Sequence, residues 1–422
     1  MNKGLHKKKL IELVDVFNNQ RIPLSAKERE SLSKIYPYYG AQSIVDYVDK
    51  YLFDGEYILV AEDGENLRSN NQNICNLVNG KFWVNNHAHI LKANADNITE
   101  YLFYNFNRIK FEPYITGSAQ PKLNKENLLN IVTYVHDKKE QQKISSVLAA
   151  LDSKIELNNR INAELESMAK IIYDYWFVQF DFPDKNGKPY KTSGGKMVWN
   201  EELRREIPVG WAVKKIKDLA DTGSGGTPLS TNKEFYENGN IPWINSGEVN
   251  PSFIIYSKKF ITEEGLNNSS AKIFPKDTIL MAMYGATAGQ VSLIDFEACT
   301  NQAVCAIMPN DLRLIPYLKF GLHQLYQYLI NLSSGSARDN LSQDKIRDLF
   351  FVLPEDGILN RFHEFANSNF NKILINLKEN QKLAELRDWL LPMLMNGQVK
   401  VDKLSDNDET LNMAAEEREK YR

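Results

Sequence analysis

Cysteine is scarce in this sequence: Cys75, Cys299 and Cys305 are the three in 422 residues, an odd and scattered set. They provide neither a disulfide framework nor the paired spacing of a zinc site, a usage that fits a reducing cytosol. Long apolar runs are missing as well. Lys7-Lys8-Lys9 followed by Leu10 to Phe17 has the outline of a signal peptide, but Glu12 and Asp15 interrupt it. No stretch approaches the ~20 apolar residues of a membrane span, so the expected location is cytoplasmic, with no membrane partner. An excess of positive charge is also lacking, since 51 Lys and Arg stand against 54 Asp and Glu. Attraction of the whole chain to a polyanion is thereby excluded, and contact with nucleic acid requires a local basic patch.

What is present is a long helix that occurs twice. With 43% hydrophobic residues the chain can bury sizeable cores, and its length suggests two or three domains. From about Glu140 to Phe177, positions Ile144, Leu148, Leu151, Ile155, Asn158, Asn162, Leu165, Ala169, Ile172 and Trp176 alternate spacings of four and three, a coiled-coil seam. From about Leu359 to Met395, most of that seam returns 218 residues later as Phe362, Ala366, Asn369, Ile373, Asn376, Asn380, Leu383, Arg387, Leu390 and Leu394.

The stretches before each helix repeat too. Tyr57 to Ala61 and Lys81 to Val84 read as strands, and Ile98 to Phe106 reads as a helix. Lys276 to Ala282 matches Gly55 to Ala61 at an offset of 221, Asn301-Gln302-Ala303 matches Asn86-His87-Ala88 at 215, and Gly335-Ser336-Ala337 matches Gly117-Ser118-Ala119 at 218. Small drifts of this kind are what loop insertions between equivalent elements produce. The expected organisation is α+β. It comprises a first mixed α/β domain (1–136), a central long helix (137–180), a turn-rich connector with little to bury (181–206), a second mixed domain (207–354), a distal long helix (355–400) and a polar tail (401–422) read as frayed.

A lone seam helix leaves its apolar stripe in water, so the two copies are expected to pair with each other. An antiparallel pair about a pseudo-twofold axis would match Asn158 with Asn380 and Asn162 with Asn376. A parallel pair would match 158 with 376, and spacing alone leaves the direction open. The antiparallel arrangement is favoured because it separates the two mixed domains along a rod of roughly 50 Å.

Several local stretches resemble the DNA-specificity subunit of type I restriction-modification systems. They are Phe182-Pro183-Asp184-Lys185-Asn186-Gly187-Lys188-Pro189-Tyr190-Lys191, Ser193-Gly194-Gly195-Lys196-Met197, Asn200-Glu201-Glu202-Leu203 through Ile207-Pro208-Val209-Gly210-Trp211, Ser224-Gly225-Gly226-Thr227-Pro228, Tyr284-Gly285-Ala286-Thr287 with Gly289, and Asn85-Asn86-His87-Ala88-His89. The resemblance implies two target-recognition domains reading the halves of a bipartite site in double-stranded DNA, with the helices as spacer and as docking surface for two methyltransferase subunits. Restriction or translocase subunits would join through these. The chain itself would be non-catalytic and would bind no cofactor, with S-adenosylmethionine on the partner methyltransferase. Because the two halves differ in sequence, the site is expected to be asymmetric.

Base edges are distinguishable in the major groove, where Arg, Asn and Gln read and Lys holds phosphate. On that chemistry the candidates are Arg68, Asn70, Asn71, Gln72, Gln120 and Lys122 in the first domain, and Tyr284, Thr287, Arg338 and Asn340 in the second. The bland alternative for each is a solvated loop residue. Tyr173, Tyr175 and Phe177 are the candidate docking residues for the methyltransferase, on the presumption that they face outward.

Enzyme signals are weak. Asn250-Pro251-Ser252-Phe253 lacks the second proline of an adenine-methyltransferase loop, His87 and His89 have no adjacent metal set in sequence, and Gly223 to Gly226 lacks the Lys of a phosphate loop. No metal site is expected. Two alternatives stay open: a specificity subunit serving a methyltransferase without a restriction subunit, and a coiled-coil scaffold carrying two protein- or glycan-binding modules.

Overall fold

The five residues of Tyr57–Ala61 and the four of Ile279–Ala282 are all buried, as β-branched and aliphatic runs must be when both faces of a strand are covered. Each is a central strand of its own sheet. The computed structural model describes residues 4–69, 73–117, 120–325 and 341–401. The chain divides into two compact units, one made of residues 1–155 and 382–422, the other of residues 156–381. Each unit therefore takes part of both long helices, a division the sequence boundaries do not contain.

In the first unit an antiparallel sheet runs in the order Val14–Val16, Ala88–Ala93, Tyr57–Ala61, Cys75–Val78. A second sheet runs Ile44–Val48, Tyr36–Tyr39, Lys81–Val84, Phe53–Asp54, with Tyr36–Tyr39 parallel to Lys81–Val84. The helix Thr99–Phe106 packs against the first sheet around Tyr101, Leu102 and Phe106. The second unit repeats this plan. Its larger sheet runs Ala220–Ser224, Val304–Pro309, Ile279–Ala282, Val291–Ile294 and adds one edge strand, Phe253–Ile254. Its smaller sheet runs Phe260–Ile261, Ile241–Ile244, Ala298–Thr300, Ile273–Phe274, with Ile241–Ile244 parallel to Ala298–Thr300.

Register refines the repeat. Ile58 pairs with Leu91 as Ile279 pairs with Ile307, which keeps the offset of 221 for the first strand. The match of Asn301 to Asn86 shifts by one. Asn85 and Asn301 each accept the backbone N–H two residues on, from His87 at 2.8 Å and Ala303 at 3.2 Å. Each also donates its own N–H to the neighbouring parallel strand, to Tyr39 O and Ile244 O at 3.0 Å in both cases. Asn85 is thus the counterpart of Asn301, at an offset of 216. Two consecutive asparagines at Asn85 and Asn86 made the choice ambiguous in sequence, and the side-chain turn resolves it.

The long helices span Lys138–Tyr173 and Asp356–Met395. Asp137 caps the first through the Glu140 N–H at 2.9 Å, a contact worth ~1 kcal/mol. Within the second unit Asn158 Nδ2 donates to Asn380 Oδ1 at 2.9 Å and Asn376 Nδ2 to Asn162 Oδ1 at 2.8 Å, the antiparallel match. Within the first unit the same direction brings Ile144 and Leu148 into one core with Leu394 and Met395, and Arg387 onto Asp152 at 2.7 Å. A π-helical turn, Asp174–Val178, follows the first helix.

The stretch after it departs from the expected turn-rich connector with little to bury. Phe180 and Phe182 are buried, and Met197–Asn200 pairs with Arg205–Pro208 as a hairpin. Aromatic spacing every second residue in an extended segment was the available signal, masked by the surrounding Pro and Gly.

Candidate nucleic-acid interface

The buried strand Tyr57–Ala61 ends where Glu62 and Asp63 bring the first carboxylates. Arg21 Nη1 donates to Glu62 Oε2 at 2.7 Å and to the carbonyls of Asn86 and Ala88 at 3.2 and 2.9 Å. On the other oxygen of Glu62, the Lys122 ammonium lies at 3.4 Å with its side chain 56% exposed. Burial works against ionisation of Glu62. The Arg21 hydrogen bond and the charges of Arg21 and Lys122 oppose it, and the carboxyl is held below its usual range. His87, exposed, contacts Asp63 at 2.7 Å. Buried His89 meets Asn18 Nδ2 through Nδ1 at 2.8 Å and Leu123 O through Nε2 at 2.7 Å, which requires the neutral tautomer protonated on Nε2. Burial lowers its pKa accordingly.

Arg68, on the short helix Asn66–Ser69, donates from Nη2 to Gly117 O at 2.6 Å. Gly117 has φ +86, and a Cβ there would lie 2.3 Å from Gln120 O, so the turn requires glycine. Lys122 bridges to both Asp63 and Thr116 through the backbone. The structure therefore gathers Arg68, Gln120 and Lys122 into one exposed patch and adds Arg21, which sequence reasoning missed. Arg21 and Lys122 share the Glu62 carboxylate, one on each oxygen. Asn70, Asn71 and Gln72 lie outside the described residues.

In the second unit the corresponding connection joins Ile279–Ala282 to Val291–Ile294. Tyr284 and Thr287 sit on it, around a 3-10 turn at Gly285–Thr287 with Gly285 and Gly289 in the left-handed region. Thr287 Oγ1 donates to Ser246 O at 2.8 Å, and the half-buried Tyr284 packs against the core. Beside them Thr227 Oγ1 donates to Gln302 Oε1 at 2.5 Å, and Ser224 Oγ to Gln302 O at 3.3 Å. Gln302 is the counterpart of Asn86. Arg338 and Asn340 lie outside the described residues, as do Ser118, Ala119 and Gly335 to Ala337. The Gly225-Gly226 pair is a close-packed turn: a Cβ on either would fall within 1.9 or 2.3 Å of Thr300 or Ser270.

The expected docking residues divide. Tyr173 and Phe177 are 5% and 4% exposed and face inward, packing with Tyr317 and Phe362, so they are core rather than docking surface. They continue the face of buried Ala169 at spacings of four, in one core with it. Tyr175 is 38% exposed. Asn250-Pro251-Ser252-Phe253 leads into the added edge strand, and Ser252 bonds Glu166 and buried Lys319. Among the described residues no group of three His, Cys, Asp or Glu could hold a metal, and no helix is long and apolar enough to cross a membrane. All three cysteines are buried and free, with burial pushing Cys299 up to about 11 and Cys305 up to about 12.

A family model described as the type I restriction modification DNA specificity domain matches residues 2–167 and 208–385. The chain is 28% identical over 314 residues to the type I restriction enzyme MjaIX specificity subunit of Methanocaldococcus jannaschii, covering 73% of this chain and 70% of that protein. It is 28% identical over 405 residues to the HindI specificity subunit of Haemophilus influenzae, covering 82% and 84%. The crystal structure of a type I restriction-modification S subunit from M. genitalium superposes with a TM-score of 0.60 at 16% identity, covering 93% of this chain and 96% of that one, a likeness of fold.

Proposed function

Because the chain belongs to the family of type I restriction modification DNA specificity domains, we infer that each of its two mixed α/β units reads one part of a bipartite, asymmetric site in double-stranded DNA. The chain is the specificity subunit of a restriction-modification complex and not its catalytic one. The observation that carries the assignment of the reading surface is the recurrence of one strand connection in both units. In the first unit it holds Arg68 beside Lys122, and in the second it holds Tyr284 and Thr287.

The reading residues are Arg68, Gln120 and Lys122 with Asn70, Asn71 and Gln72, and Tyr284, Thr287, Arg338 and Asn340 on the other half. Lys122 suits a phosphate, since its amine projects into solvent from a salt bridge of modest strength. The long helices dock methyltransferase subunits, two in number, and through them restriction or translocase subunits. S-adenosylmethionine belongs to the methyltransferase, which modifies adenine, and the complex works in the cytoplasm.

Co-purification with a methyltransferase, followed by titration of duplex DNA at several salt concentrations, tests this. The expected result is retardation whose affinity falls steeply with salt. A chain that binds no methyltransferase and no duplex at low salt contradicts it.

A further inference from the structure

The strand His6–Lys9 in the first unit and Ala212–Lys215 in the second play the same part. His6 pairs with Val135 and Ala212 with Leu353, so Leu5 is the counterpart of Trp211. By the repeat, Tyr134 answers to Val352, Tyr101 to Tyr317, and Met395 to Phe177.

In the second unit this corner is filled by the chain itself. Phe177 meets Tyr317 and Trp211 at centroid distances of 4.9 and 6.0 Å, Phe182 stacks on Trp211 at 4.8 Å, and Phe180 meets it edge-on at 5.5 Å. Val352 is 9% exposed. In the first unit the equivalent corner is a cleft of about 780 Å³ lined by Leu5, His6, Lys8, Arg108, Tyr134 and Met395. Tyr134 is 48% exposed, and Val132, two residues before it on the same strand face, is 38% exposed.

The floor of the cleft is apolar, with Met395 buried and Leu5 and Ile109 half-buried. Its rim is cationic, with His6, Lys7, Lys8 and Arg108 all exposed. The Lys8 amine is shared with Glu12 at 2.9 Å, an exposed pair that competes weakly, and Arg108 Nη2 donates to the Asn396 side chain at 2.9 Å. Among the described residues no carboxylate lies within ion-pair distance of His6, Lys7 or Arg108. Cations around an apolar floor are complementary to a ligand that is both acidic and apolar. A row of duplex phosphates would answer the charges and leave Leu5, Ile109 and Tyr134 against water. The second unit shows what fills such a corner: rings at alternate residues, Phe180 and Phe182, laid on Trp211.

We propose that the cleft of the first unit seats an acidic segment of a partner protein that carries large apolar side chains at alternate positions. Those side chains cover Leu5, Ile109 and Met395 as Phe180 and Phe182 cover Trp211, and the carboxylates face Lys7, Lys8 and Arg108. The partner supplies to the first unit what the connector supplies to the second, and docking here requires no duplex.

A labelled peptide, Glu-Glu-Phe-Glu-Phe-Glu-Glu, titrated into the full chain and followed by fluorescence anisotropy tests this. Saturable binding is expected, about tenfold weaker with Lys7→Glu and with Arg108→Gln, both exposed positions. A peptide with Ser in place of both Phe should also bind about tenfold more weakly. Lys214→Glu, on the counterpart strand beside the filled corner, should leave binding unchanged. Absence of saturable binding overturns the proposal, as does binding that Lys7→Glu leaves unchanged or that Lys214→Glu weakens equally. Equal binding of the Ser peptide overturns it too, since the apolar floor would then play no part. Displacement of the peptide by duplex DNA assigns the cations to nucleic acid and overturns the protein partner. Binding lost as the chain is concentrated, together with a dimer, assigns the cleft to a second copy and overturns it as well.

Discussion

Lys122 and Arg68 contribute their charges in different ways. Lys122 presents its amine to solvent, while Arg68 commits one edge of its guanidinium to Gly117 O. Lys122→Ala should weaken duplex binding by a similar factor for all sequences and reduce the salt slope by about 1, as a phosphate contact would. An unchanged slope in a salt titration removes Lys122 from the interface. The network behind it is acid-sensitive. Glu62 has its pKa below the unfolded value, so its contribution is complete above the ordinary carboxylate range and is lost as pH falls through the folded pKa. His89, lowered by burial from 6.5, also disfavours acid, because the unfolded chain takes up its proton first. The urea midpoint should therefore fall as pH is lowered from about 7 to about 5, and the fall should shrink in His89→Gln. Gln120 and Lys122 were singled out in the sequence because they follow Gly117-Ser118-Ala119. Arg21 was not, because its partner Glu62 is 41 residues away and no local pattern joins them.

The helix pair was read from its seam, and two asparagine positions carried the register. Asn380 also donates to Asn159 at 2.8 Å, so Asn162 with Asn376 forms the cleaner pair for a mutant cycle. Asn162→Leu leaves the Asn376 amide, 3% exposed, without its acceptor and should cost ~1–3 kcal/mol. Asn162→Leu with Asn376→Leu should recover at least half of that in urea denaturation, and strict additivity contradicts the pairing. A second anchor escaped the sequence. Lys319, 2% exposed, donates to Glu166 on the first long helix at 3.0 Å and lies 4.6 to 5.3 Å from the rings of Phe253, Phe320 and Phe370. Burial lowers the Lys319 pKa while the Glu166 charge opposes the shift. Lys319→Met alone should destabilise by about 3 kcal/mol, and adding Glu166→Gln should restore most of it. A lysine within an apolar helix looks like an exposed face in sequence, and only tertiary packing shows its partner. Tyr173 and Phe177 follow buried Ala169 at spacings of four, and their inward face shows only once Tyr317 and Phe362 are packed on them.

Across the whole molecule, one α/β plan is used twice, with a shared strand order and matching turns at Asn85 and Asn301. The repeat was visible because loops drift while paired strands hold register, and the resemblance of the connector placed it among DNA-specificity subunits. The base sequence read by each half depends on side-chain placement that no motif determines. Overall charge gave no hint of DNA, since the total is -3. The central claim is that each half of the chain reads its own part of one site. Mapping methylated adenine in cells carrying this chain, in cells lacking it, and in cells where residues 207–354 are replaced by those of another family member tests it most directly. The account predicts a bipartite, asymmetric motif that disappears on deletion and changes in one part only on replacement. A motif that survives deletion, or a replacement that alters both parts together, would contradict it.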